Sequence, residues 1–291
     1  MIESFLNFFS FSHPNVVIAA IGVSLIGFFS GSVGTFLVLD KKSLLGDAIS
    51  HSLLPGICLA FLINGSKSPL LLLTGAVISG LMSTYFVDFI SNKSKLSRDA
   101  ALAIGLSFFF SIGIMLLTYI QHNQGSNQAG LESYLFGKAA SISLEDTVMI
   151  SIAGVLSYVS LLIFYRQLKA TIFNRSFASS QGISIKFIQA LLNACAVIMI
   201  AIGIQAVGVV LMAALILAPA SISRFYSKRL EKILILSGLI GAFGGLMGTA
   251  VSYTLEGMPT GPWIVLVLFV MSILSIVLNY FKTKWQTRSG L

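Results

Sequence analysis

The chain has 291 residues, of which 56% are hydrophobic and only 10% are charged, and its 18 basic and 10 acidic side chains give a formal net charge of +8. Soluble domains carry roughly one-quarter charged residues, so this composition excludes a soluble globular protein. We therefore expect an integral membrane protein.

Apolar runs long enough to cross a membrane recur along the whole chain. A helix needs about 20 such residues to cross the hydrocarbon core, and lipid offers no partners for unpaired backbone groups. We therefore predict a single all-α, polytopic transmembrane domain covering residues 1–291. Its predicted spans are residues 15–38, 47–63, 69–90, 100–120, 147–165, 187–203, 207–221, 233–254 and 262–281.

The number of spans depends on the charge-free stretch between Lys186 and Arg224. This stretch is too long for one span, so we divide it at Gly203–Gly208. If the 207–221 segment is re-entrant, the chain has eight spans instead of nine.

The distribution of basic residues predicts the orientation, because cytoplasmic loops carry an excess of Lys and Arg. With an extracellular amino terminus and a cytoplasmic carboxyl terminus, sixteen of the eighteen basic residues lie on the inner side. These are Lys41, Lys42, Lys93, Lys95, Arg98, Arg166, Lys169, Arg175, Lys186, Arg224, Lys228, Arg229, Lys232, Lys282, Lys284 and Arg288. Their spread over separate membrane-edge segments indicates anchoring to inner-leaflet lipid, so we expect no nucleic-acid partner.

The stretch GDAISHSLLPG (46–56) places Asp47 and His51 four residues apart at the edge of an apolar run. On a helix these positions share a face, so a carboxylate and an imidazole are able to hold one divalent cation between them. Zn²⁺ takes about four ligands and Mn²⁺ about six, so a symmetric dimer with two such pairs would complete the site. The alternative is that Asp47 caps the helix while His51 packs as a neutral polar residue.

One further stretch and one further residue bear on function. APASISRFYSKRLEK (218–232) combines a predicted proline break with four basic residues. It is either a short amphipathic helix that docks a cytosolic partner or a loop that obeys the positive-inside rule. Asp88, near the inner end of its span and within reach of Lys93, is expected to be an interfacial residue.

Four stretches resemble the membrane-spanning permeases of bacterial ABC importers for manganese, zinc and iron. They are GTFLVLDKKSLLGDAISHSLLPG (34–56), LESYLFGKAASISLED (131–146), GVVLMAALILAPASISR (208–224) and MPTGPWIVLV (258–267). Residues 208–232 also resemble, more distantly, the ATPase-coupling segment of cobalamin and siderophore importers. The resemblance implies a type II ABC-importer-like permease in a bacterial cell membrane. It also implies a homodimer with two cytosolic ATP-binding subunits and an extracytoplasmic metal-binding protein as partners.

The resemblance also implies roles for individual residues. The metal-coordinating pair falls on Asp47 and His51, and the coupling segment covers about 219–232. Within it, contacts with the ATPase fall on Pro219, Ser221, Arg224, Lys228 and Arg229. The implied cargo is a divalent metal, Mn²⁺ first and Zn²⁺ or Fe²⁺ next, with no permanently bound cofactor and no enzymatic activity in this chain.

Two rival functions have sequence requirements of their own. A self-contained, proton-coupled secondary metal transporter needs a relay of intramembrane carboxylates and often an internal repeat, but we find only Asp47 and Asp88 and no clear repeat. An intramembrane enzyme of the HExxH type requires that motif, and this sequence does not contain it. The chain also lacks a GxxxxGK[ST] phosphate loop, so ATP-driven transport requires a separate ATPase.

Overall fold

A computed structural model describes residues 14–65, 68–123, 142–255 and 260–288 of the chain. Within them all regular structure is helical, which confirms the all-α prediction. The helices are α1 (Pro14–Leu39), α2 (Leu45–Ser52), α3 (Leu54–Asn64), α4 (Pro69–Lys93), α5 (Arg98–Asn123), α6 (Leu144–Ile163), α7 (Tyr165–Phe173), α8 (Arg175–Ser180), α9 (Ile185–Val207), α10 (Val209–Tyr226), α11 (Leu230–Thr254) and α12 (Thr260–Arg288). Residues 131–141 and 258–259, which belong to the resembling stretches, lie outside this description.

Eight stretches of the described chain are long and apolar enough to cross a membrane, and Leu45–Asn64, made of α2 and α3, is one of them. The ninth predicted span, 207–221, corresponds to α10, whose apolar part, Leu211–Tyr226, is shorter than the other eight stretches. α9 and α10 meet at Gly208, whose φ of +88° and ψ of 164° are open essentially only to glycine. The choice between eight and nine spans stays a prediction.

The helix break predicted at Pro219 is wrong, because α10 continues through this proline to Tyr226. Proline removes one backbone hydrogen bond, but buried helices of membrane proteins tolerate it when neighbouring helices surround the site. α10 packs against α1, α2, α11 and α12, and Pro219 itself is buried.

Close packing around α1 organises the bundle. α1 contacts α6, α9, α10 and α11, and glycines let two of these helices approach it closely. Gly27 of α1 lies against Gly241 of α11, and Gly34 lies against the backbone of Ile216 in α10. Small residues of this kind are how membrane helices gain contact area without a hydrophobic driving force.

Polar contacts distinguish the two ends of the bundle. At one end, Arg175 Nη2 donates to Asp40 Oδ1 at 3.1 Å, which joins α8 to the connection between α1 and α2. At the other end, Gln205 Nε2 donates to the Pro69 carbonyl oxygen at 3.5 Å. The first end holds connections that the topology predicts to be cytoplasmic, and the side of the membrane that it faces stays a prediction.

Gly34→Ala is expected to destabilise the bundle, because the added Cβ would overlap the carbonyl oxygen of Ile216. Overpacking of this kind costs about 1–3 kcal/mol. Gly46→Ala is the matched control, since its Cβ would meet the same Ile216 only at Cγ2, at 4.0 Å. Thermal unfolding of both purified proteins in detergent measures the effect. A Gly34→Ala protein as stable as the Gly46→Ala control would contradict the close approach of α1 and α10.

Candidate metal site

The connection between α1 and α2 fixes where the helix with Asp47 and His51 begins. Lys41 has a left-handed φ of +57°, its N–H donates to Val38 O at 3.3 Å, and the Lys42 N–H donates to Leu37 O at 2.9 Å. These two bonds form a Schellman motif, which ends a helix and redirects the chain. The Leu45 N–H then donates to Lys42 O at 3.0 Å, so the Lys42 backbone joins both helices.

α2 has one buried face and one partly open face. Asp47 and His51 lie on the open face, with side chains 51% and 31% exposed. The buried residues are Leu45, Gly46, Ala48, Ile49, Ser50 and Ser52. Leu44 occupies the N-cap position, and Asp47 lies three residues later in the first turn, where a carboxylate favours the helix dipole without capping the helix.

The two side chains of the pair are close enough to share an ion. Asp47 Oδ1 and His51 Nε2 are 3.5 Å apart. Two ligands at about 2.1 Å from a tetrahedral ion are roughly 3.4 Å apart, so the observed separation fits neighbouring positions around one cation. The His51 ring packs edge-on against Phe110, with 5.0 Å between ring centroids and 79° between planes. This contact restrains the imidazole in its place beside Asp47.

One copy of the chain supplies only part of a coordination shell. Within the described residues, no group of three or more His, Cys, Asp or Glu side chains is arranged to hold a metal ion. Asp47 and His51 alone offer two possible ligands, which is fewer than Zn²⁺ or Mn²⁺ takes. Both side chains are partly exposed at the surface of the single chain, so groups from outside it are able to reach them.

The predicted continuous span 47–63 consists of two helices, α2 and α3, which meet at Leu53. The physical reason lies in Pro55, at the start of α3, because proline has no N–H to donate to the carbonyl of His51 one turn earlier. The Asp47–His51 pair thus lies in the first eight residues of a span that continues through Leu53, in helical conformation, to Asn64.

Buried hydroxyl groups hold the carboxyl end of α2 against α4. Ser79 Oγ donates to Ser52 O at 2.7 Å, and Ser83 Oγ donates to Ser52 Oγ at 2.8 Å. Ser52 Oγ in turn donates to Ala48 O at 2.6 Å. Sequence reasoning missed this cluster. Its signal was the placement of Ser79 and Ser83 one turn apart in an otherwise apolar helix.

Asp88, which the sequence places within reach of Lys93 as an interfacial residue, contacts Arg98 and Asn193. Its Oδ1 accepts from Arg98 Nη2 at 2.9 Å, and its Oδ2 accepts from Asn193 Nδ2 at 3.1 Å. Asp88 thus links α4 to the start of α5 and to the middle of α9. Asn193 is the signal that was overlooked, because a polar side chain inside a long charge-free run requires a partner.

Lys42 lies at the centre of a second set of contacts at the same end. Its Nζ is 2.9 Å from Asp40 Oδ2 and 3.4 Å from Asn193 Oδ1, and its side chain is fully buried. Burial lowers the pKa of Lys42, and the nearby Asp40 carboxylate opposes that shift. Asp40 also accepts from Arg175, so five charged side chains and Asn193 form one connected network.

The residues predicted to couple to the ATPase lie at the end of α10 and just beyond it. Pro219 is buried, whereas Ser221, Arg224, Lys228 and Arg229 are exposed. Tyr226 Oη lies 3.0 Å from Ser275 Oγ, which fixes the end of α10 against α12. The exposed basic side chains are thus presented by a helix end that is held in place.

Comparison with known proteins gives matches over nearly the whole chain. The manganese transport system membrane protein MntC of Bacillus subtilis (strain 168) is 40% identical over 265 residues, covering 91% of this chain and 61% of that protein. This chain therefore spans only about three-fifths of that relative's length. The zinc transport system membrane protein TroC of Treponema pallidum (strain Nichols) is 39% identical over 272 residues, covering 94% of this chain and 90% of that protein.

A solved structure and a family match complete the comparison. The structure of PsaBC from Streptococcus pneumoniae in complex with Fab superposes with a TM-score of 0.81 at 28% identity, covering 94% of this chain and 95% of the matched one. The ABC 3 transport family matches residues 12–279. These findings confirm the resemblance stated from the motifs and the importer-like fold that it implied. The chain belongs to the ABC 3 transport family.

Proposed function

We propose that this chain is the permease subunit of an ATP-driven importer of divalent transition-metal ions, Mn²⁺ first and Zn²⁺ or Fe²⁺ next. The observation that carries the proposal is the Asp47–His51 pair, 3.5 Å apart on the open face of α2. The names of the relatives support the choice of ions, since one is a manganese and the other a zinc transport protein.

The proposed transport path lies on the twofold axis of a homodimer. Two copies supply two carboxylates and two imidazoles, which satisfy a tetrahedral Zn²⁺ or, with water, a six-coordinate Mn²⁺. Asp47 and His51 are partly exposed in one copy. This exposure supports the arrangement, because a second copy is able to place its own pair against them, and ionisable residues inside a membrane need a partner.

The proposed partners are those that the family resemblance implies. A separate cytosolic ATP-binding subunit docks on Ser221, Arg224, Lys228 and Arg229 near Pro219. The exposure of these four side chains supports this role. An extracytoplasmic metal-binding protein delivers the ion at the opposite side. The chain is a multi-pass protein of a bacterial cell membrane, with its amino terminus outside and its carboxyl terminus in the cytoplasm, and it needs no permanently bound cofactor.

The second candidate function is a proton-coupled secondary metal transporter. Such a carrier needs a relay of free carboxylates inside the membrane. Asp88 is already engaged with Arg98 and Asn193, which leaves Asp47 as the remaining intramembrane carboxylate that the sequence offered for a relay. This engagement favours the ATP-driven importer.

Asp47→Ala and His51→Ala are each expected to abolish uptake of Mn²⁺ by cells while leaving the amount of membrane-inserted protein nearly unchanged. Both side chains are partly exposed, so their removal opens no cavity in the core. His122→Ala is the matched control, because His122 is an exposed histidine at the far end of α5. Normal uptake in either variant at normal expression would defeat the site assignment. Uptake that survives inactivation of the ATP-binding subunit would favour the secondary transporter.

Arg224→Glu is expected to uncouple ATP hydrolysis from transport, because it reverses a charge on the surface proposed to dock the ATP-binding subunit. The measurement is ATPase activity of the reconstituted complex, with and without the metal-loaded binding protein. Lys95→Glu is the control, since Lys95 is an exposed basic residue between α4 and α5. Stimulation of the Arg224→Glu complex equal to that of the control would count against the coupling segment.

A further inference from the structure

The buried ammonium of Lys42 takes no part in the proposed coordination chemistry, yet it lies in the short connection that leads into α2. We propose that Lys42 is a positioning residue for the metal pair, which holds the start of α2 in register with α9 and α4. This inference rests on the proposed function of Asp47 and His51, and it adds a requirement that the pair alone does not imply.

The position of Lys42 in the turn makes its identity informative. In a Schellman motif, the residue at this position usually makes a hydrophobic contact back to the helix. Here the position holds a lysine whose side chain is fully buried and whose Nζ reaches Asp40 and Asn193. Burying an ammonium group is costly unless it is paired and hydrogen-bonded. Closing the turn does not require a buried ammonium group. A hydrogen bond from this position to Asn193 on α9 does require a donor.

The network that includes Lys42 reaches the helices that surround α2. Lys42 contacts Asn193 on α9, Asn193 contacts Asp88 on α4, and Asp88 contacts Arg98 at the start of α5. Each of these three helices packs against α2. The network therefore fixes the start of α2 and the helices around it relative to one another. Arg175 extends the network to α8 through Asp40.

Backbone hydrogen bonds connect Lys42 to the turn of α2 that contains Asp47. Lys42 O accepts from the Leu45 N–H, and Leu44 O accepts from the Ala48 N–H at 3.0 Å in the next turn. Asp47 lies in this first turn, and His51 lies one turn further on. With the carboxyl end of α2 held by Ser52 contacts, loss of the Lys42 side chain removes the polar contact at the start of the helix and leaves the one at its end.

The test is Lys42→Met in the full-length chain, reconstituted with its ATP-binding subunit in lipid nanodiscs and titrated with Mn²⁺. Methionine has a similar length, and Asp40 keeps Arg175 while Asp88 keeps Arg98. Because Asn193 Oδ1 loses its donor, we expect a lower Tm but a folded complex. We expect the Kd for Mn²⁺ to rise roughly tenfold or more, as for other groups that orient metal ligands. Lys41→Met, a change at the exposed neighbouring lysine, should leave the Kd unchanged.

An unchanged Kd in Lys42→Met overturns the proposal, whatever happens to Tm, because a purely structural lysine would alter stability and not affinity. If Lys42→Met yields no folded complex, Asn193→Leu replaces it. That variant keeps the Lys42–Asp40 and Asp88–Arg98 pairs but removes the link to α9. Its Kd should rise in the same way, and an unchanged Kd again overturns the proposal.

Asp47→Ala, measured in parallel, separates this inference from the proposed function. Loss of Mn²⁺ binding in Asp47→Ala together with wild-type binding in Lys42→Met defeats the positioning role alone. Wild-type binding in Asp47→Ala defeats the proposed metal site itself.

Discussion

A carboxylate and an imidazole one helical turn apart, in an apolar helical bundle, are unfavourable unless a cation satisfies them. Asp47 and His51 are held in this situation by the rest of α2, whose other face is buried in the core. Their donor atoms are separated by about the distance between neighbouring ligands of one ion. Within the described part of the chain no third His, Cys, Asp or Glu side chain joins them, which is why we propose that a second copy supplies the remaining ligands.

The helix that carries the pair is short and is held at both ends. At its start, the Schellman turn and the Lys42 contacts join it to α1 and α9. At its end, Ser79 and Ser83 hold Ser52 against α4. Anchoring at both ends fixes the Asp47 and His51 side chains relative to α1, α4 and α9.

Hydrophobicity and spacing were enough to predict the all-α fold, the apolar segments and the pairing of Asp47 with His51, because these are local properties of the chain. Contacts between distant segments were not predictable in this way. Asp88 pairs with Arg98 because α4 and α5 form a hairpin and α9 brings Asn193 beside it. Pro219 does not end α10 because neighbouring helices surround it. Both outcomes depend on tertiary packing, which overrides local propensity.

We propose that two copies of the Asp47–His51 pair bind one ion together. Metal analysis of the purified protein, loaded with Mn²⁺ and washed, measures the number of ions per chain. We expect one tightly bound ion per two chains in the wild type and none in Asp47→Ala. One ion per chain, or a metal content that Asp47→Ala leaves unchanged, would contradict it.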